Sequence, residues 1–247
     1  MSLLATARAS FFMLAMAHCL TAQQVGNLDL TDTTTRGFTV QESGVGSGSC
    51  GGVGLSGPSR AGDHLVEARL ISIDPVLLAF GDKLDFVIRL TNIGKAEVRI
   101  PWTPNASDVE IPGAKSFEYE TLVPSISLQV ESGTNNNDRG EWDQLLGSEL
   151  YAKSNLSAGT KLLRPGEWVE IQYREPYVSY NANISELMLQ NGQLRFRITG
   201  AALLIGVTRT LAPNGRSART DSVCRTDINF RSAGEFTLTV IPKRFDP

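Results

Sequence analysis

Apolar and polar residues alternate with a period of two along much of this chain, and that alternation constrains the fold more than any other feature. In Lys83–Thr91, Leu84, Phe86, Ile88 and Leu90 share one face, while Lys83, Asp85 and Arg89 point away. Successive side chains that alternate between sides describe a strand half-buried against a core. Gly81-Asp82 before this run and Asn92-Ile93-Gly94 after it carry turn chemistry, and Glu97–Ile100 resumes the alternation. The pattern returns in Leu194–Ile198 and in Phe236–Val240. Leu65–Ile73, Ile126–Val130 and Trp168–Tyr173 are further strands by the same criterion, the last opened by Pro165-Gly166. Trp142–Tyr151 and Ile184–Gln190 are patterned for short helices and nothing longer. Parallel strands need crossover helices of about ten residues or more. The pattern therefore predicts an all-β, antiparallel β-sandwich with long loops near 101–125 and 131–165.

The N-terminus is patterned differently. In residues 1–22 Arg8 is the one charge, Phe11–Leu20 is apolar apart from His18, and Thr21-Ala22 precede Gln23-Gln24 as a small-residue cleavage context. This is the layout of a signal peptide, too short to cross a bilayer, which takes about 20 apolar residues. It predicts a secreted or periplasmic protein with no transmembrane segment in the mature chain. A lipoprotein variant through Cys19 would place His18 where a small residue belongs. Residues 23–62 have the composition of a flexible leader, with threonines at 31 and 33–35 and seven glycines between Gly44 and Gly57. Phe38–Val40 is the exception, patterned for a short strand. The sandwich domain is expected over 63–247. Gly46-Ser47-Gly48-Ser49-Cys50-Gly51 formally matches a dinucleotide-binding glycine fingerprint, but neither a buried strand before it nor an amphipathic helix after it is present.

Ala79–Gly94, followed by Val98-Arg99-Ile100-Pro101, resembles the "G-D-x-hydrophobic … T-N-x-G … V-x-hydrophobic-P" stretch of bacterial immunoglobulin-like domains. Leu163-Arg164-Pro165-Gly166-Glu167-Trp168 resembles the turn that opens a middle strand in such domains, and Gly234–Leu238 their closing strand. Fibronectin-like and proteinase-inhibitor-like modules of secreted bacterial proteins share these features. The resemblance covers about a quarter of the chain and implies a fold, with no functional residue to carry over. Residues 63–247 exceed the roughly 100 of a minimal immunoglobulin unit, so one elaborated sandwich is expected, with two packed small ones as the alternative.

Few residues suit catalysis. Without residues 1–22, His64 is the one histidine, and no serine lies in a G-x-S-x-G elbow. One histidine and no closely spaced cysteine pair do not make a zinc site. No cofactor is expected. Asn135–Glu141 with Asp143 is an oxygen-rich cluster, but Arg139 and Leu146 occupy positions that an EF-hand loop needs for ligands. A calcium site of another kind stays open there beside a plain solvated loop. Cys50 and Cys224 are an even pair in an exported chain, and both the bonded and the free state stay open. A bond closing so long a loop stabilises by about 4–5 kcal/mol in the chain-entropy account.

Charge is unevenly placed. Asp108 to Glu149 holds nine acids against Lys115 and Arg139, whereas Arg195 to Arg231 holds seven arginines against Asp221 and Asp227. Two readings follow: a polarised surface that steers a partner, or two segments that neutralise each other within one sandwich. The overall charge of -3 excludes a generally basic, nucleic-acid-coating protein. Arg209, Arg216, Arg219 and Arg225 surround Pro213-Asn214-Gly215, patterned for an exposed hairpin tip. Tyr173, Tyr177 and Tyr180, with Trp102 and Trp168, suit either a small stacking platform for a glycan or the core and rim of the sandwich. Three sequons, at Asn105, Asn155 and Asn183, mark loops expected to be exposed. The functional expectation is a non-catalytic envelope or secreted module that binds a protein or glycan through its loops. The alternatives are an inhibitor of a secreted or periplasmic protease and, behind it, a carboxylate-based hydrolase.

Overall fold

The computed structural model describes residues 22–32, 64–131, 140–154, 159–211, 218–224 and 228–242. Within them the alternating segments form strands that pack as two sheets. In the first sheet the order is β1 (Gln23–Asp29), β10 (Glu167–Pro176), β4 (Lys83–Asn92), β2 (Leu65–Asp74) and β13 (Asn229–Ala233). The second runs β3 (Leu77–Ala79), β14 (Glu235–Ile241), β11 (Leu194–Leu211), β6 (Ser116–Val130) and β7 (Trp142–Leu146). β8 (Leu150–Lys153) also pairs with β6, and β12 (Ala218–Cys224) with β11, while β5 (Val98–Pro101) and β9 (Thr160–Leu163) form a separate two-stranded ribbon. The fold is all-β. The interior pairs of both sheets are antiparallel, but β1, β3 and β13 join their neighbours in parallel.

β4 shows why the period dictates the layer. Leu84, Phe86, Ile88, Leu90 and Asn92 are buried and the residues between them are not. The inward set meets Ile126, Leu128, Phe196, Ile198, Leu238 and Val240 of the second sheet in one apolar core. Asn92 is the polar member of the buried face. Its Nδ2 donates to the Ala96 and Leu163 carbonyls at 2.8 and 2.9 Å, and its Oδ1 accepts from the Gly94 amide at 2.9 Å. The turn after β4 and the end of β9 are thereby tied to one side chain. At the same end of the ribbon Gly166 has φ +83°, a left-handed value that glycine tolerates, and its amide donates to the Asn92 carbonyl. The Pro165-Gly166 turn opens β10 as the sequence predicts.

Several segments differ from the sequence expectations, and one is Thr160–Leu163, expected in the loop near 131–165 and found as β9 beside β5. Trp142–Tyr151 is not a helix but β7 and the first half of β8. β7 alternates exposed and buried, with Asp143 and Leu145 inward, and the inward acid hides the apolar face from a sequence pattern. Residues 116–125, expected in a loop, belong to the long strand β6. Thr121 to Leu128 are buried without interruption, so both faces are covered and the period of two disappears. Pro124 also argues against a central strand. Its carbonyl accepts from the Gly147 amide, so the side lacking an N–H faces the break between β7 and β8, where no ladder bond is due. Gln23–Asp29, expected in a flexible leader, is strand β1. Val25 and Leu28 pack on the core and Leu30 is buried, because a bulge between Gln24 and Gly26 puts an odd and an even residue on the same side. The helix expected at Ile184–Gln190 is present as α1 (Ala182–Asn191).

Candidate functional site

Aromatic residues that reach solvent gather where the start of β7 meets α1. Asn181 builds this corner. As the residue before the helix it accepts from the Asn183 and Ile184 amides, and its Nδ2 donates to the Trp142 carbonyl at 2.9 Å. One side chain thus caps α1 and fastens it to the edge strand. Ile184 and Met188 anchor the helix in the core. Below the corner the Tyr177 hydroxyl lies 3.4 Å from Asp143 Oδ2, and its ring meets Phe80 and Phe196 edge-on. Burial, then the charge of Asp143, pushes the Tyr177 hydroxyl far up, so it stays a neutral donor to that carboxylate. On this support Trp142 is 50% and Tyr180 69% exposed, with Val178 also exposed between the buried Tyr177 and Tyr180. Leu146 further along β7 and Leu189 on α1 are exposed as well.

Of the tyrosines expected in a stacking platform, only Tyr180 is at the surface. Tyr173 and Tyr177 are each 1% exposed. Tyr173 stacks on Phe86 with ring centroids 5.0 Å apart and lies under the Gly147 backbone. It alternates inward along β10 with Val169 and Ile171, so its ring is core and offers no face to a ligand. Trp168 is half-buried beneath the Arg89 guanidinium, 3.8 Å from the ring centre, and Arg89 also pairs with Glu170 at 2.7 Å. Trp142, which the sequence pattern assigned to a short helix, is the residue missed. No alternation of polarity in Trp142–Leu146 marked it, because the inward residue beside it is Asp143 and the alternation is one of burial alone.

Arg209 sits half-buried on β11, close enough to Tyr119 to moderate the rise of that phenol. The expected hairpin exists, since Leu211 pairs with Ala218 across β11 and β12. Its tip with Arg216, and also Arg225 and Cys50, lie outside the described residues. Arg219 and Cys224 are described as strand backbone, opposite Thr210 and Ile205. Residues 1–21, Phe38–Val40, Asn135–Arg139 and Asn155 lie outside them too. His64 is exposed at the entry to β2, as a turn residue would be.

The acidic and basic segments are neighbours. β6, which carries Glu118 and Glu120, pairs along β11, which carries Arg195, Arg197 and Arg209. Arg195 lies 3.5 Å from Glu131, and Arg197 2.9 Å from Glu235. The charges are folded against each other, which favours mutual neutralisation over a polarised surface.

Two carboxyls carry raised pKa values. Burial pushes the Glu149 carboxyl up, against hydrogen bonds from the Tyr151 and Thr121 hydroxyls at 2.9 and 3.3 Å. Burial also pushes Glu175 up, against bonds from Ser148. Beside Glu149 the Tyr119 phenol is pushed up to about 12, by burial first and then by the Glu149 charge. Each carboxylate is held by its own hydroxyl partners, and no hydrogen bond joins the two among the described residues. Among the same residues no group of three His, Cys, Asp or Glu is placed to hold a metal ion. Among them, too, no helix is long and apolar enough to cross a membrane.

No protein-family model matches the chain, and no curated protein sequence matches it. Solved structures show distant likeness. The sporulation control protein Spo0M from Bacillus subtilis is 9% identical, with a TM-score of 0.22, over 68% of this chain and 50% of Spo0M. A β-glucosidase from Listeria innocua is 11% identical, with a TM-score of 0.26, over 64% of this chain and 16% of the enzyme. The alkylpurine DNA glycosylase AlkC from Pseudomonas fluorescens is 8% identical, with a TM-score of 0.27, over 70% and 33%. The chain thus spans half or less of the length of these three proteins.

Proposed function

We propose that the chain is an exported, non-catalytic binding module of immunoglobulin-like type, holding a protein partner through the corner of Trp142, Val178 and Tyr180. The observation that carries this reading is the exposure of two large aromatic rings on backbone fastened by Asn181. Rigidly presented Trp and Tyr side chains are the residues that most often dominate binding energy at protein interfaces. A protein surface fits the corner better than a glycan. Val178 adds aliphatic area beside Tyr180, whereas Tyr173 and Tyr177, which would have widened a sugar platform, are in the core. The secretory pattern of residues 1–22 supports export, and the Asn92 and Pro165-Gly166 turns support the immunoglobulin-like kinship.

The test is Trp142→Ala with Tyr180→Ala in the full chain. Capture of partners from extracellular and envelope extracts should weaken at least about tenfold. Melting temperature should hold, since exposed side chains contribute little to stability. Undiminished capture would overturn the reading. Loss confined to a glycan array would reassign the corner to sugar, and inhibition across a panel of secreted proteases would favour the inhibitor alternative.

A further inference from the structure

Strand β1 stands apart from the rest of the first sheet. Among the described residues it occupies an outer edge, pairs with β10 and with no other strand, and runs parallel to it from Gln23↔Glu167 to Asp29↔Gln172. It is also seated with care. Leu30 is buried and its amide donates to the Gln172 carbonyl at 2.9 Å, while Val25 and Leu28 pack on the core. At Gly26 a Cβ would come within 3.3 Å of Val169, Lys161 and Trp102. The edge of β10 is therefore a shaped groove whose occupant is an extended segment with apolar anchors at 25, 28 and 30.

The covalent tether of that occupant is much longer than the fold requires. β1, β10, β4 and β2 are successive neighbours, so β1 and β2 lie three strand spacings apart, about 14 Å. Asp29 is level with Gln172, Val87 and Ser72, and β1 and β2 point the same way. The connection must therefore travel back about seven residues, roughly 23 Å, giving a gap of about 27 Å. The 31 residues 33–63 bridge it. Fully extended they would reach about 100 Å.

We infer that β1 is an exchangeable strand: the β10 edge can accept Gln23–Leu30 from a second copy of the chain, and two copies pair by mutual exchange. The exchange makes the same hydrogen bonds and buries the same side chains as the closed monomer, so only the tether decides between them. A tether of this length keeps its own strand at an effective concentration in the millimolar range. The closed monomer prevails in dilute solution and the exchanged pair at higher concentration. This inference is independent of the corner at Trp142 and of what binds there.

The test shortens the tether. Deleting Thr31–Gly62 leaves only Leu30, Asp63 and His64 between Asp29 and Leu65, with a reach of about 14 Å, which cannot close the gap within one chain. Light scattering in reductant, needed because the deletion removes Cys50 and leaves Cys224, should show a doubled molar mass. Adding Leu28→Asp with Leu30→Asp should return the mass to that of a monomer. A folded monomer after the deletion, or a dimer indifferent to the aspartates, overturns the inference. Should the shortened chain fail to fold, the full chain at about 1 mM decides. A dimer fraction lost with Leu28→Asp and Leu30→Asp supports exchange, and monomer throughout overturns it.

Discussion

Asn92 shows how much of this fold rests on single polar side chains. It is fully buried, yet each of its amide atoms is used, on Ala96, Leu163 and Gly94. Replacing it by Ala would remove the donor from the Ala96 and Leu163 carbonyls, while the Gly94 amide keeps its bond to the Leu65 carbonyl. The expected cost of Asn92→Ala is about 2–3 kcal/mol in urea unfolding, and an unchanged midpoint would refute this role. Glu149 is the opposite case, a buried group that works against stability in its charged form. Its carboxyl is raised by burial, so the native state holds the proton more tightly than the unfolded chain does. Stability from this group is fullest at low pH and is lost as pH rises through the native value. Glu149→Gln keeps an acceptor for Tyr151 and Thr121. The melting temperature at pH 7 should rise above that of the parent, and the difference should shrink as pH falls toward 4. A difference independent of pH would remove Glu149 as its source.

At the scale of elements, the second sheet approaches the first closely at one place. A Cβ on Gly200 of β11 would lie 2.5 Å from the Leu70 amide nitrogen and 2.8 Å from the Arg69 carbonyl carbon of β2. Both neighbours are backbone and neither can rotate aside. Gly200→Ala is expected to cost about 3 kcal/mol through forced separation of the strands, read as a lowered denaturation midpoint. A loss below 1 kcal/mol would show that the sheets yield there. Elements with one covered face were legible from sequence, as β4, β10 and β14 show. β6 was not, because burial on both faces erases the period and Pro124 is tolerated only through the gap between β7 and β8. β7 was misread because Asp143 faces inward, where it meets the Tyr177 hydroxyl.

Across the whole molecule, tertiary pairing decides what the linear charge pattern means. An acidic run and an arginine-rich run left both polarity and mutual neutralisation open, and pairing of β6 with β11 sets them side by side. The corner at Trp142 likewise unites residues far apart in sequence, since Asn181 bonds to the Trp142 carbonyl across 39 positions. Alternation in the sequence was enough to specify layered strands, because burying every second side chain is a local property that each segment carries alone. Which strand became an edge, which tyrosines entered the core and which aromatic rings stayed in water depended on neighbours distant along the chain. Exposure is a property of the packed assembly, and no segment encodes it without its partners.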